Sequence, residues 1–146
     1  MALPTGPDRL LLRVPLLHGA PPVAVERLAA RARWITAAPG QAVLDHGDAT
    51  TDVFFVVQGA VRVLVRTADG LHARILGDFG EGELVGELAA IDPAPRSARV
   101  EALVHTRLCA VPAAAFLELV FSSREVAAGL LASPKTRRSE EHTSEL

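Results

Sequence analysis

The chain has 146 residues, of which 49% are hydrophobic and 22% are charged, the balance of one folded domain, which excludes a mainly disordered chain and argues against a two-domain enzyme. Its 15 basic residues are matched by 17 acidic ones, so it lacks the basic excess of a protein that tracks a nucleic-acid backbone. A single cysteine, Cys109, excludes an internal disulfide and a cysteine-ligated zinc or iron–sulfur site.

The first predicted element is a helix. Apolar residues at helical spacing follow Pro22, with charged residues on the opposite face, and this pattern predicts a helix over residues 22–33. The dipeptide Pro39-Gly40 then interrupts the chain, and the apolar period changes to that of strands.

A series of short strands forms the predicted centre of the chain. Val61, Val63 and Val65 alternate with Arg62, Leu64 and Arg66, as in a half-buried strand, and Asp69-Gly70 is a hairpin signal. In the returning strand, Leu71, Ala73 and Ile75 alternate with His72 and Arg74. Regular short strands are typical of a sandwich or barrel. The predicted strands cover residues 53–57, 61–66, 71–75, 97–102 and 107–111.

Two further sequence features fall within this β-rich region. Gly77, Gly80 and Gly82 have the wrong order for a dinucleotide-binding motif and are interpreted as turns. Cys109 alternates with Leu108 and Ala110 and is predicted to be a half-buried, unreactive thiol.

The chain returns to helical composition after Pro112. Helices are predicted over 113–121 and 124–131, with Ser122-Ser123 able to cap the second one. The predicted fold class is therefore mainly β with flanking helices, in the order helix, β-roll, two helices.

The composition changes abruptly at Ser133. Residues 133–146 contain neither Ala nor Val, and residues 138–146, RSEEHTSEL, look like the translation of a sequencing-library adapter. We interpret 138–146 as an assembly artefact that ends a truncated reading frame and place the domain at residues 10–132. A natural disordered polar tail is the alternative.

The segment with the clearest chemical content runs from Gly82 to Ala98. Gly86 permits close approach of the backbone, and the amides at Glu87 and Leu88 suit an anion at the start of a short helical turn. Arg96 follows Pro95 and offers a forked guanidinium beside the Ser97 hydroxyl. Because a glutamate beside a bound anion is best explained by a hydroxyl on the ligand, these residues favour a ribose phosphate.

This segment and the residues before it resemble the cyclic nucleotide-binding domain of catabolite-activator-type bacterial regulators, cyclic-nucleotide-dependent kinases and gated channels. The resemblance covers roughly residues 10–132. Its β-roll has a double-stranded β-helix, or jelly-roll, form with glycines at the corners. The matching positions are Pro39-Gly40, Leu44, Gly47-Asp48, Asp52, Phe54, Val56, Gly59 and Val61, followed by Gly86-Glu87-Leu88-Ala89 and Arg96-Ser97-Ala98.

The resemblance implies a role for each residue of this second set. Glu87 would accept the ribose 2′-hydroxyl, and Gly86, Leu88 and Ala89 would supply backbone contacts around ribose and phosphate. Arg96 would pair with the exocyclic phosphate oxygens, and Ser97 and Ala98 would complete the cradle. Ser97 stands where cGMP-selective kinase domains have threonine, which favours cAMP over cGMP as the ligand.

The resemblance further implies a regulatory module that catalyses nothing. We expect the cytoplasmic, membrane-free N-terminal sensor of a bacterial transcription regulator whose parent is a DNA-binding homodimer. The helix-turn-helix is missing, because the last helix ends near Ala132, and this fragment alone is not expected to bind DNA. The sensor of another signalling protein, such as a cyclase, kinase or transporter, is the alternative parent.

The sequence leaves three other interpretations open. Glu87 and Arg96 could form only a structural salt bridge, or the roll could be an interaction scaffold that has lost its ligand. A metal-dependent jelly-roll enzyme of the cupin kind needs clustered histidines. The histidines are scattered, so no metal or other cofactor is expected; they are His18, His46, His72, His105 and His142.

Overall fold

The computed structural model describes residues 11, 14–45, 47–67, 69–87 and 98–132. A short 3-10 helix, Pro15–Gly19, precedes helix α1, Pro22–Ala30; after the strands come α2, Ala113–Ser122, and α3, Arg124–Ala132. The strands are β1 Arg33–Ala37, β2 Ala42–Leu44, β3 Val53–Gln58, β4 Ala60–Arg66, β5 Ala73–Gly80, β6 Leu84–Val85, β7 Ala98–Ala102 and β8 Thr106–Val111. The predicted order of helix, β-roll and two helices is confirmed.

The strands form two antiparallel four-stranded sheets. One has the order β1-β8-β3-β6 and the other β2-β7-β4-β5. We call the first the helix-covered sheet and the second the open sheet, because the helices pack on the outer face of the first only, among the described residues. This is the predicted mainly β class.

Strand β3 is buried on both faces. Val53, Phe55 and Val57 lie in a cluster with the helices, whereas Phe54 and Val56 lie in a second cluster between the sheets. The helix-side cluster includes Phe116 of α2, whose ring centroid is 6.4 Å from that of Phe55. An apolar residue at every position is what burial on both faces requires.

The predicted first helix is too long at its C-terminal end. In the structure, helix α1 ends at Ala30, and the chain enters β1 at Arg33. There Trp34 pairs with Cys109 and Ile35 with Leu108. Trp34 and Ile35 continue the helical spacing of the preceding apolar residues. They nevertheless adopt a strand conformation, because β1 gains a ladder of backbone hydrogen bonds to β8.

The returning strand was also predicted incompletely. Strand β5 runs to Gly80, so Gly77 and Gly80 belong to a strand and only Gly82, with φ +86°, lies in a turn. Besides β1, two strands were not predicted, Ala42–Leu44 and Leu84–Val85, and both are too short to show a period.

Two local predictions have different outcomes. The Val126 N–H donates to Ser123 Oγ over 3.3 Å, so the predicted cap of α3 is confirmed. Cys109 is wholly buried rather than half-buried, and this burial raises the pKa of its thiol to about 12. The Cys109 side chain projects from β8 towards the helices. The helices cover this face of the strand, which would otherwise be open to solvent.

Candidate functional site

The candidate site begins at a corner that is tightly held to β3. The Gly82 N–H donates to the Val56 carbonyl over 2.8 Å, and the Val56 N–H donates to the Glu83 carbonyl over 2.8 Å. The Glu83 side chain accepts a further hydrogen bond from the Gly80 N–H at 2.9 Å. These bonds fix the approach to β6 and therefore the position of the residues that follow it.

Gly86 and Glu87 come directly after β6. Gly86 has φ +84°, a left-handed conformation that residues with a Cβ rarely adopt. Glu87 is only 7% exposed, and Gly86 and Glu87 each take part in polar or electrostatic interactions within the protein. A buried carboxylate requires hydrogen-bond partners. Since its two oxygens can accept about four hydrogen bonds, Glu87 has the chemistry to hold a ligand hydroxyl together with protein donors.

The segment that starts at Gly86 ends in the opposite sheet. Ala98 is the first residue of β7 and pairs with Val65 of β4. The chain therefore leaves the helix-covered sheet after β6 and enters the open sheet at Ala98. Of the sequence-predicted site residues, Gly86, Glu87 and Ala98 are described. Leu88, Ala89, Arg96 and Ser97 lie outside the described residues.

Next to Ala98, the interior face of the open sheet carries small side chains. Val65 is 7% exposed and Ala98 packs at the margin of the inter-sheet cluster. Gly77 pairs with Val63 and so belongs to the same face. Among the described residues, a Cβ added at Gly77 would approach Phe79 Cε1, at 3.7 Å. Gly77 and Ala98 therefore add little bulk to this face beside the ends of the candidate segment.

This part of the site was not predicted from the sequence. The sequence interpretation places Gly77 in a turn. The signal that could have placed it in a strand is the alternation of Gly77 and Phe79 with the charged Asp78 between them. Val65 was correctly placed in a half-buried strand, but its pairing with Ala98 is a long-range contact that has no local signal.

Arg99 lies close to the candidate segment in the sequence but faces away from the interior. It pairs with Leu64, whereas Ala98 and Val100 pair with the inward-facing Val65 and Val63. Its guanidinium donates to Glu101 Oε2 over 3.1 Å and to Asp45 Oδ2 over 3.0 Å. The hydrogen bond that Arg99 donates to Glu101, followed by the negative charge of Asp45, raises the pKa of Arg99. The carboxylates thus hold this arginine outside the roll.

The residue types that ligate metals are dispersed in the part of the chain that the structure describes. There, no three histidine, cysteine, aspartate or glutamate side chains gather into a group that could bind an ion. His18, His72 and His105 are exposed, and His46 and His142 lie outside the described residues. No helix within the described ranges is both long enough and apolar enough to cross a membrane.

Comparison with known proteins identifies similar chains. A family model described as "Cyclic nucleotide-binding domain" matches residues 34–123. The Pycsar effector protein XpPycTIR of Xanthomonas perforans is 36% identical over 92 residues, which are 62% of this chain and 28% of that protein. Lysophospholipase NTE1 of Cryptococcus neoformans is 32% identical over 83 residues, 57% of this chain and 5% of the relative.

A solved structure shares the fold as well as the sequence similarity. The catabolite activator protein of Thermus thermophilus superposes with a TM-score of 0.70 at 31% identity, over 90% of this chain and 61% of that chain. In each of these three comparisons the chain spans less than two thirds of the other protein.

Proposed function

Because the chain belongs to the cyclic nucleotide-binding domain family, we propose that it is a sensor that binds a cyclic nucleotide, preferentially cAMP, between its two sheets. The observation that carries the proposal is the position of Glu87. This carboxylate is 7% exposed and follows a left-handed glycine at the end of β6. It would accept a hydrogen bond from the ribose 2′-hydroxyl, since an ionised carboxylate accepts hydrogen bonds and donates none.

The other predicted contacts surround this carboxylate in the sequence. Arg96 would neutralise the single charge of the cyclic phosphate, and the backbone at Gly86, Leu88, Ala89, Ser97 and Ala98 would complete the cradle. The preference for cAMP rests on Ser97, since threonine is the residue at this position in cGMP-selective kinase domains.

The measurement that tests the proposal is a calorimetric titration of the full chain with cAMP and cGMP, before and after the substitution Arg96→Ala. We expect saturable binding by the wild type. Removing one partner of a shielded charge pair costs about 3–5 kcal/mol, so the substitution should raise the dissociation constant roughly 100- to 5000-fold.

Arg99→Ala is the matched control, because it removes an arginine three positions away that is engaged by Asp45 and Glu101 on the outer face. Its affinity for both nucleotides should equal that of the wild type. If a folded wild-type chain binds neither nucleotide, the proposal is wrong and the scaffold interpretation gains support. If Arg96→Ala leaves the affinity unchanged, the phosphate contact is wrongly assigned.

Ligand occupancy would be transmitted through β6. Leu84 of this strand pairs with Phe55 and packs on the helix-side cluster, which also contains Phe116 of α2. A ligand that holds Gly86 and Glu87 would therefore favour one packing of α2 and α3 over others, which is a shift of populations.

The parent protein would be a longer chain that carries an output domain. A bacterial transcription regulator that acts as a DNA-binding homodimer is the first candidate, supported by the 31% identity with a catabolite activator protein. An enzyme or other signalling protein with the same sensor is the second, favoured by the 36% identity with an effector protein that is much longer than the matched segment. In either case this domain would regulate and the catalytic or DNA-binding chemistry would reside elsewhere.

A further inference from the structure

A groove on the molecular surface separates helices α1 and α2. Its volume is about 420 Å³, whereas a cavity of about 150 Å³ already holds a benzene ring. The groove is therefore large enough to receive an aromatic side chain. Its lining includes the apolar residues Ala24, Leu28, Ala115 and Leu119.

The two helices that border the groove run antiparallel. Ser123, directly after α2, donates its hydroxyl to the carbonyl of Gly19, just before α1, over 3.4 Å. Further along the groove, Arg27 Nη1 lies 3.7 Å from Glu118 Oε1. The start of α1 therefore lies beside the end of α2, and the Arg27–Glu118 pair lies near the middle of the groove.

The two ends of the groove differ in the size of their side chains. At the end where α1 starts and α2 finishes, two large apolar side chains are exposed, Val23 at 55% and Phe121 at 83%. The opposite end is lined by the small residues Ala30 and Ala115 and by Arg31. One end thus projects from the surface, and the other offers space for a projection.

The spacing of these features is that of a self-complementary surface. In α2, Glu118 is three residues from Ala115 and three residues from Phe121, which is about 4.5 Å along the helix axis in each direction. A two-fold axis that crosses the groove at Glu118 would therefore place Phe121 of one copy on the small residues of a second copy. Contact of one patch with the same patch of another copy is the requirement for a two-fold dimer.

The charges of the groove suit the same arrangement. Arg27 and Glu118 are 73% and 60% exposed, so each can also reach the oppositely charged residue of a second copy across the axis. Arg31 is exposed, and its guanidinium forms no ion pair with a described residue. In the dimer it would lie beside the ring of Phe121 of the second copy, where a guanidinium is attracted to the aromatic face.

We propose that the α1–α2 groove is a homodimer interface in which Phe121 of each copy inserts beside Arg31 of the other. The interface lies outside the candidate nucleotide site and requires no ligand, so it is independent of the proposed function. Two short helices form a small interface, and small interfaces are typical of weak association. We expect a dissociation constant above roughly 10 μM, so dilute solutions contain the monomer.

The first test is sedimentation velocity of the full chain without nucleotide, over a hundredfold range of concentration about that value. Since buried aromatic side chains dominate most interfaces and the dimer contains two of them, Phe121→Ala should raise the dissociation constant roughly 30-fold or more. Leu131→Ala is the matched control, because Leu131 is also a large exposed side chain, at 65%, but lies on α3. It should leave the dissociation constant unchanged.

The second test examines the symmetry by oxidation of the Glu118→Cys variant. A residue at a two-fold axis meets its own copy, and a disulfide forms only where the two Cα atoms approach within about 7 Å. The native Cys109 does not compete, because it is buried and its thiol has a pKa raised to about 12. We expect a disulfide-linked dimer of Glu118→Cys and none of Leu131→Cys under the same conditions.

Three results would overturn the proposal. One is a wild type that stays monomeric over the whole range, which would leave nucleotide binding untouched. Another is a dimer that Leu131→Ala dissociates and Phe121→Ala does not, since the interface would then lie on α3. The third is a dimer in which Glu118→Cys forms no disulfide, because the axis would then lie elsewhere.

Discussion

The helix-covered sheet and the open sheet have the same number of strands but bury different amounts of their surfaces. Strand β3 of the first places five consecutive residues, Val53 to Val57, at 3% exposure or less. Strand β4 of the second buries only alternate residues, Val61, Val63 and Val65. The first sheet has packed layers on both sides, and the second has one packed face and one accessible face.

Because of this difference, the two sheets contribute differently to stability and to the candidate site. Burial on both faces makes the helix-covered sheet the main source of stability and links it to α2 and α3. The open sheet carries most of its charged residues outside, including the pairs Arg62–Asp78 and Arg99–Asp45. Its interior face carries Gly77 and Ala98 near the candidate site, next to the larger Val63 and Val65.

The strongest test of the comparison is Phe55→Ala. Phe55 is fully buried between β3 and α2, so the substitution removes apolar contacts on the side of the sheet that the helices cover. We expect the free energy of unfolding to fall by about 3–5 kcal/mol, measured by urea denaturation.

Phe121→Ala is the control for that experiment. Phe121 lies on the same helix as Phe116 but is 83% exposed, and its removal should change stability by no more than about 0.5 kcal/mol. Equal losses in the two variants would contradict the assignment of stability to the covered face.

A second test uses the pH dependence that Cys109 imposes. Burial raises the pKa of this thiol to about 12. In the unfolded chain the thiol has its ordinary pKa of about 8.5. Below pH 8.5 both states keep the proton, and the contribution to stability is complete. As the pH rises from there towards 12, the unfolded state ionises first and stability is lost.

The measurement is the free energy of unfolding between pH 9 and 11 under reducing conditions for the wild type and for Cys109→Ala. We expect the wild type to lose stability more steeply, by up to about 1.4 kcal/mol per pH unit. The alanine variant supplies the slope due to all other groups. Parallel slopes would show that Cys109 ionises as readily in the folded chain and is accessible to water.

The same contrast explains which features could be predicted from the sequence. The strand over residues 61–66 and the helices after Pro112 were predicted well, because each has one buried face and a regular period. The helix boundary at Ala30 was missed, since Trp34 and Ile35 are placed by pairing with β8. Strand β6 contains two residues and owes its position to bonds with β3.

The candidate site shows the same division. Gly86 and Glu87 were identified by residue type, and the structure adds the left-handed conformation and the burial that their proposed roles require. The neighbouring positions of Ala98, Val65 and Arg74 on β7, β4 and β5 could not be identified, because they depend on the register of three strands and on a β-bulge in β5 between Gly77 and Ile75. A single extra residue in β5 reverses the faces, and no local pattern marks it.

The smallest expected effect tests that bulge directly. Ile75 pairs with Leu64 on the outer face and is 53% exposed, so Ile75→Thr should change the free energy of unfolding by no more than about 0.5 kcal/mol. Val63→Thr is the comparison, because Val63 is 7% exposed on the interior face. Burying a hydroxyl there should cost about 1–3 kcal/mol, measured in the same urea titration. If Ile75→Thr costs as much as Val63→Thr, Ile75 faces the interior, the strand has no bulge, and Arg74 is directed to the outer face. A small loss at Ile75 beside a large one at Val63 would place the isoleucine outside, and the alternation of β5 then requires Arg74 to lie on the interior face.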